Sequence, residues 1–182
     1  MSQSDIKKLS RKFKDQVLDT SDRLGMDTAL IHKDAVRDVI SFLRDDDKML
    51  YNFLRDLTCV DYLHRVPRFE VVYVLYSMSR KAQVVIKAAV PQDDPSIDSI
   101  ADLYGNANWA EREVWDMFGV KFKNHPDLRR ILMYEEFEGH PLRKDYQKQA
   151  SQPRIELRMK ERDAFEEFKT FHQKQDESGS RR

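Results

Sequence analysis

The stretch RFEVVYVLYSMSRKAQVVIKAAV, residues 68–90, decides the fold class. Two runs rich in β-branched and aromatic residues, FEVVYVLYS (69–77) and AQVVIKAAV (82–90), flank a short polar turn, a pattern that predicts an antiparallel hairpin. In the first run Val71, Tyr73 and Leu75 alternate with Val72, Val74 and Tyr76, so both of its faces are apolar. That predicts an inner strand covered on both sides.

Working outward, LTCVDYL (57–63) supplies a further β-rich run and TALIH (28–32) a short one. Helical spacing of Ile6, Leu9, Phe13 and Val17 predicts an amphipathic helix from Ser4, its N-cap, to about Leu18. Val36, Val39, Ile40 and Leu43 form a second helical stripe that ends in the acidic run 45–47. PQDDP (91–95) closes the hairpin, a short helix is expected over Ile97 to Leu103, and ANWAEREVWDMF (107–118) reads as another helix before Gly119. From Ser151 to Gln175 a charged helix carries the narrow stripe Leu157, Phe165, Phe168 and Phe171. The expectation is an α+β protein: one domain over residues 1–150, with a mixed or antiparallel sheet of about four strands packed with helices, and a charged helical extension over 151–182.

Composition excludes several classes of function. The 32 basic and 32 acidic residues cancel, leaving none of the basic excess that nucleic-acid binding demands. Cys59 stands alone, which rules out an intrachain disulfide, a four-thiolate zinc site and a self-contained iron–sulfur cluster, and suits a reducing compartment. Five isolated glycines form no nucleotide-cradling loop. The longest apolar run, VVYVLY (71–76), is strand-sized and cannot span a bilayer. The N-terminus lacks the apolar core of a secretory signal, and Asp5, Asp15 and Asp19 argue against a transit peptide, so it reads as a retained helix of a bacterial protein.

CVDYLHR (59–65) fits the spacing of a phosphate-binding cysteine and arginine, but it alternates like a strand, lacks glycine and places Asp61 where phosphate would lie. The densest ionisable stretch is NHPDLRRILMYEEFEGHPLRKDY (124–146), in which His125 and His140 each precede a proline and are therefore held in extended backbone. With Asp127 or Asp145 these two imidazoles could hold a metal; otherwise they are turn or interface histidines. On the helix before Gly119, Glu111 falls inside the apolar arc, either as the capping-box partner of Asn108 or facing an arginine of a nearby loop or partner chain. Arg112 and Asp116, four apart on the opposite side, read as a surface pair.

EREVWDMFGVKF (111–122), HPDLRRIL (125–132) and GHPLRKDY (139–146), in that order, resemble the signature of the C subunit of the respiratory NADH:quinone oxidoreductase, complex I. The same polypeptide is the 30-kilodalton subunit in mitochondria and the J subunit in chloroplast relatives. The resemblance extends more weakly through DLTCVDYL, the hairpin and PQDDPSIDSI, covering residues 28–147. It departs from the pattern at Gln147, where a proline is expected, and at EEFE (135–138), where an aromatic-rich stretch is expected.

The resemblance implies a non-catalytic subunit of the hydrophilic arm that binds no flavin, iron–sulfur cluster or quinone itself. It would pack against the D subunit, which forms much of the quinone site, and the neighbouring iron–sulfur subunits, at the cytoplasmic face of a bacterial inner membrane, reaching the membrane through the complex only. The residues carried over are Glu111, Arg112, Glu113, Asp116, Phe118, His125, Pro126, Arg129, Arg130, His140, Pro141, Arg143 and Asp145. Arg129, Arg130 and Arg143 would offer planar forks to partner carboxylates, with Glu111, Asp116 and Asp145 as internal or cross-chain counterparts. The alternative for each is that its charge ties a loop to its own domain. Other functions in view are the equivalent subunit of a membrane-bound hydrogenase or of a ferredoxin- or coenzyme F420-dependent complex, a freestanding hydrolase using His125 and His140, and a soluble adaptor.

Overall fold

The computed structural model describes residues 3–23, 25–147 and 151–153; the expected helix over 151–175 lies almost wholly outside them. Helix α1 (Gln3–Lys12) leads into strands β1 (Val17–Arg23) and β2 (Met26–His32), helix α2 (Val36–Asp45), and strands β3 (Phe53–Asp61), β4 (Phe69–Ser77) and β5 (Ala82–Val90). A short strand β6 (Ser96–Asp98), helix α3 (Ala107–Phe118) and strand β7 (Lys121–Lys123) follow. The main sheet is ordered β1-β2-β5-β4-β3. Its β2–β5 pair is parallel and the rest antiparallel, so the α+β fold with a mixed sheet is the one expected, with five strands. No described helix is long and apolar enough to cross a membrane.

The hairpin forms where its alternation places it, pairing Phe69 with Val90 and Ser77 with Ala82. β4 lies inside the sheet, between β5 and β3. Phe69, Val71, Tyr73 and Leu75 point to one face and are fully buried with Ala29, Ile31, Ile86 and Ala88 of the neighbouring strands. Ile6 and Leu9 of α1, Val39, Ile40 and Leu43 of α2, and Val114 of α3 join the same core. Each fully buried side chain of this size contributes roughly 1.5–3 kcal/mol, an upper bound for a denatured chain that is already partly collapsed. The expectation of cover on both sides fails among the described residues, since Val72, Val74 and Tyr76, on the other parity of β4, are only half-buried. All the described helices pack on one face.

Two local expectations are corrected. α1 stops at Lys12 and does not reach Leu18, because the Phe13 carbonyl accepts the N–H groups of Gln16 and Val17, after which the chain reverses into β1. Strand pairing with β2 thus outcompetes the helical spacing of Val17. The helix expected over 97–103 is absent as well: Ser96–Asp98 pairs in parallel with Lys121–Lys123, burying Ile97, and a single turn at Ile100–Tyr104 follows. The ladder partner lies beyond α3, out of reach of any local pattern.

Candidate interaction site

Helix α3 organises the site. Its N-cap is Asn106, whose side chain makes no capping bond and instead donates to the Leu54 carbonyl at 2.8 Å. The capping-box reading of Asn108 with Glu111 is therefore corrected. Glu111 is fully buried, and its carboxylate accepts the Ser99 hydroxyl at 2.6 Å and the Ile100 N–H at 2.7 Å, fastening the turn after β6 to the helix. Burial pushes the Glu111 carboxyl up to about 7 against the lowering effect of those two donors.

Asp116 is equally buried, so the surface pair with Arg112 does not exist. Its Oδ2 accepts three successive main-chain N–H groups, from Ile131, Leu132 and Met133, at 2.9–3.1 Å, while Oδ1 takes the Arg130 guanidinium. Burial alone would raise this carboxyl; the Met133 N–H, Arg130 and the other two amides outweigh it and hold it below the usual range. Arg130 also donates to the carbonyls of Phe137 at 2.6 Å and Gly139 at 3.1 Å. Arg112, in place of a carboxylate, takes the carbonyls of Arg129 at 3.1 Å and Arg130 at 3.0 Å. The HPDLRR segment is thus wrapped on the flank of α3 by main-chain bonds to two of its side chains.

GHPLRKDY occupies the C-terminal end of the same helix, where carbonyls lack intrahelical partners. The Asp116 carbonyl accepts His140 Nδ1–H at 2.9 Å, Met117 accepts the Leu142 N–H at 3.0 Å, and Phe118 accepts Arg143 Nε–H. Gly119 ends the helix at φ +77°, and a β-carbon there would fall onto Arg143 Nη2 and the His140 ring. Only glycine allows both the left-handed turn and this close approach. Among the described residues Arg143 pairs with no carboxylate; it stacks over Phe69, 5.4 Å from the ring centroid, and burial lowers its basicity.

One ion cluster was missed in the sequence. Arg68, buried at the start of β4, forks onto Asp61 at 2.8 Å through two nitrogens and onto Asp145 at 2.8–2.9 Å through two more bonds. Asp61 accepts the Lys144 N–H at 2.8 Å in addition. Hydrogen bonding to Arg68 holds both carboxyls below their usual range. No spacing rule links residues 61, 68 and 145, so no local signal could have found the cluster.

His125 Nδ1 accepts the Asp127 N–H at 3.0 Å, which leaves Nε2–H to donate to the Asn108 carbonyl at 3.0 Å. His140 is bonded to Asp116, eight residues further along the helix, about 12 Å of axial rise away. The two imidazoles therefore do not converge, and no group of three or more histidines, cysteines or acids poised for a metal occurs among the described residues. Of the three arginines expected to reach a partner, Arg130 finds Asp116, Arg143 a carbonyl, and Arg129 only the exposed Asp127. Glu113, Pro126, Arg129 and Asp145 remain exposed, whereas Phe118 and Pro141 are half-buried. Trp109, 71% exposed, and Leu132, 57% exposed, stand among them.

The result is an α+β domain with a mixed sheet backed on one face by the described helices, and with two charged loop motifs, HPDLRR and GHPLRKDY, docked onto the helix that carries the third. The family model for the respiratory-chain NADH dehydrogenase 30-kilodalton subunit matches residues 29–152, and the chain belongs to that family. It is 48% identical over 141 residues to the C subunit of the NADH-quinone oxidoreductase of Citrifermentans bemidjiense, covering 78% of this chain and 86% of that one. The corresponding polypeptide of Geobacter sulfurreducens is 48% identical over 140 residues, covering 76% and 85%. Among solved structures, a trypsin-resistant fragment of Nqo5 superposes with a TM-score of 0.62 at 31% identity, over 70% of this chain and all of the fragment. A membrane-bound sulfane sulfur reductase, described as an archaeal respiratory membrane complex, shares the fold with a TM-score of 0.68 at 21% identity, over 81% and 86%.

Proposed function

We propose that this chain is a non-catalytic brace of the peripheral arm of the proton-translocating NADH:quinone oxidoreductase. It packs against the quinone-site D subunit and the neighbouring cluster-bearing subunits. Flavin, iron–sulfur clusters and quinone are carried by those other subunits, and this chain meets the cytoplasmic face of the bacterial inner membrane only through them. The observation that carries the reading is the use made of the motif charges: Asp116 is saturated by three amides and Arg130. His125, His140 and Arg143 are each bonded to main-chain carbonyls. Groups tied in this way set the shape of a surface; even the nearest pair of titratable motif groups, His125 Nε2 and Glu111 Oε2 at 3.9 Å, is engaged elsewhere, by the Asn108 carbonyl and the Ser99 hydroxyl. The experiment is purification through a tag on this chain in mild detergent, followed by mass spectrometry of the intact assembly. The expected result is one copy of the chain with the quinone-site and cluster-bearing subunits; recovery of the chain alone, with the complex assembled without it, overturns the proposal.

A further inference from the structure

The face of the main sheet turned away from the helices carries a cleft unrelated to the α3 motifs. Register places Asp19, Leu30, Lys87, Val72 and Thr58 in one row across the five strands, with Ser21, Thr28, Val85, Val74 and Asp56 in the next. A cleft of about 530 Å³ opens over Met26, Thr28, Leu30 and Val85, with Glu70 in its lining and Tyr62 and Arg65 at its rim. Glu70 is 4% exposed although it lies on the open face. Its Oε1 meets Arg65 at 3.0 Å. Its Oε2 lies 3.3 Å from Lys87 Nζ, yet accepts no well-directed hydrogen bond among the described residues. A buried carboxylate oxygen without a directed donor is uncommon and costly in a folded chain.

We propose that this cleft is a second docking surface, occupied in the assembled complex by an uncharged, apolar segment of a neighbouring polypeptide that donates one N–H or O–H to Glu70 Oε2. Charge complementarity selects that occupant. Asp19 and Glu70 balance Arg65 and Lys87, so a further charge brought into the cleft would be buried without a counterion. The apolar part of the lining is Met26, 45% exposed, with Leu30 half-buried and Val85 buried beside it, and the half-buried Val72 and Val74 continue this apolar surface along the same sheet face beyond the cleft. This inference rests on the complex-subunit reading but involves a different face of the chain.

The test uses the full chain, free and within the tagged, detergent-purified complex. Met26→Cys is labelled with a maleimide; native Cys59, 5% exposed and with its thiol pushed up by burial, does not compete. Labelling is expected to be about tenfold slower in the complex than in the free chain. A photo-crosslinking residue at position 26 should join the chain to one other polypeptide of the complex. Thr28→Val should incorporate normally, whereas Thr28→Lys, which adds an unbalanced charge, should lower incorporation severalfold. Equal labelling in a complex that contains the chain, a crosslink to a second copy or to residues 151–182 of the same chain, or normal incorporation of Thr28→Lys each overturns the second surface and leaves the complex-subunit reading intact. Failure of the chain to co-purify overturns both.

Discussion

Arg130 and Asp116 show how a charged motif becomes architecture. Asp116 is fully buried and the Arg130 side chain is 14% exposed, so Arg130→Ala would leave a desolvated carboxylate with three amides and no cation. A loss of about 3–5 kcal/mol in unfolding free energy is expected in urea titrations of the isolated chain. Arg130→Lys should recover only part of it, since a single ammonium cannot also bridge the carbonyls of Phe137 and Gly139. Turnover per flavin in whatever complex assembles should stay near normal; abolished turnover in a fully assembled complex would make Arg130 catalytic. Glu111 makes a pH prediction of definite sign. Its carboxyl is raised from 4.5 to about 7, so between those values the native chain holds a proton that the unfolded chain has lost. Stability from this group is therefore present below about pH 4.5 and falls as pH rises to about 7, by about 3 kcal/mol in all. Relative to Glu111→Gln, the wild type should lose about 2.5 kcal/mol of it between pH 5 and pH 8 in urea unfolding; a constant difference would refute the assignment. The inward place of Glu111 was legible from its position in the apolar arc. Its partners were not, because an amide and a hydroxyl from a turn eleven and twelve residues upstream leave no side-chain pattern. Asp116 was misread for the same reason: three of its four donors are backbone.

Among the elements, legibility followed periodicity. The β4–β5 hairpin and α2 were visible because their core residues repeat at the spacing of the element. β1, with sequence VLDTSDR, is an edge strand of mostly polar residues, and only its pairing with β2 reveals it. Hairpin periodicity also indicated two apolar faces correctly, but could not show that all the described helices would pack on one of them. At the end of α3 the glycine was legible as a stop, whereas its contact with the GHPLRKDY loop was not. A pair of variants separates these two roles. Gly25 and Gly119 both have positive φ, at +75° and +77°, but a β-carbon at Gly25 meets nothing within 4 Å, while one at Gly119 collides with Arg143 and His140. Gly25→Ala should cost the left-handed backbone penalty of about 1–2 kcal/mol. Gly119→Ala should cost roughly 1–3 kcal/mol more, by prising the loop from the helix end. Thermal unfolding with matched baselines measures both; equal losses would mean that the loop is not held there.

For the whole molecule, the long-range ties determine what can be removed. Arg68 and Asp61 anchor residues 144–145 to the sheet, Tyr146 stacks on Phe137, and the α3 carbonyls hold residues 140–143, so the chain is fastened to its domain up to Tyr146. Beyond that point the sequence offers Leu157, Phe165, Phe168 and Phe171, an apolar stripe too narrow to build a core of its own but of the kind that lays into a partner's groove. These residues lie outside those the structure describes, and the family match itself ends at residue 152. Folding and assembly should therefore separate when the chain is cut after Tyr146. The shortened protein should keep the circular dichroism and melting midpoint of the full one to within a few degrees, because none of the ties just named is lost. Its incorporation into the complex, read as native-gel abundance against the full-length chain expressed at the same level, should fall severalfold. Equal incorporation would show that residues 147–182 make no docking contact, and a lowered melting midpoint would show instead that the segment completes the fold.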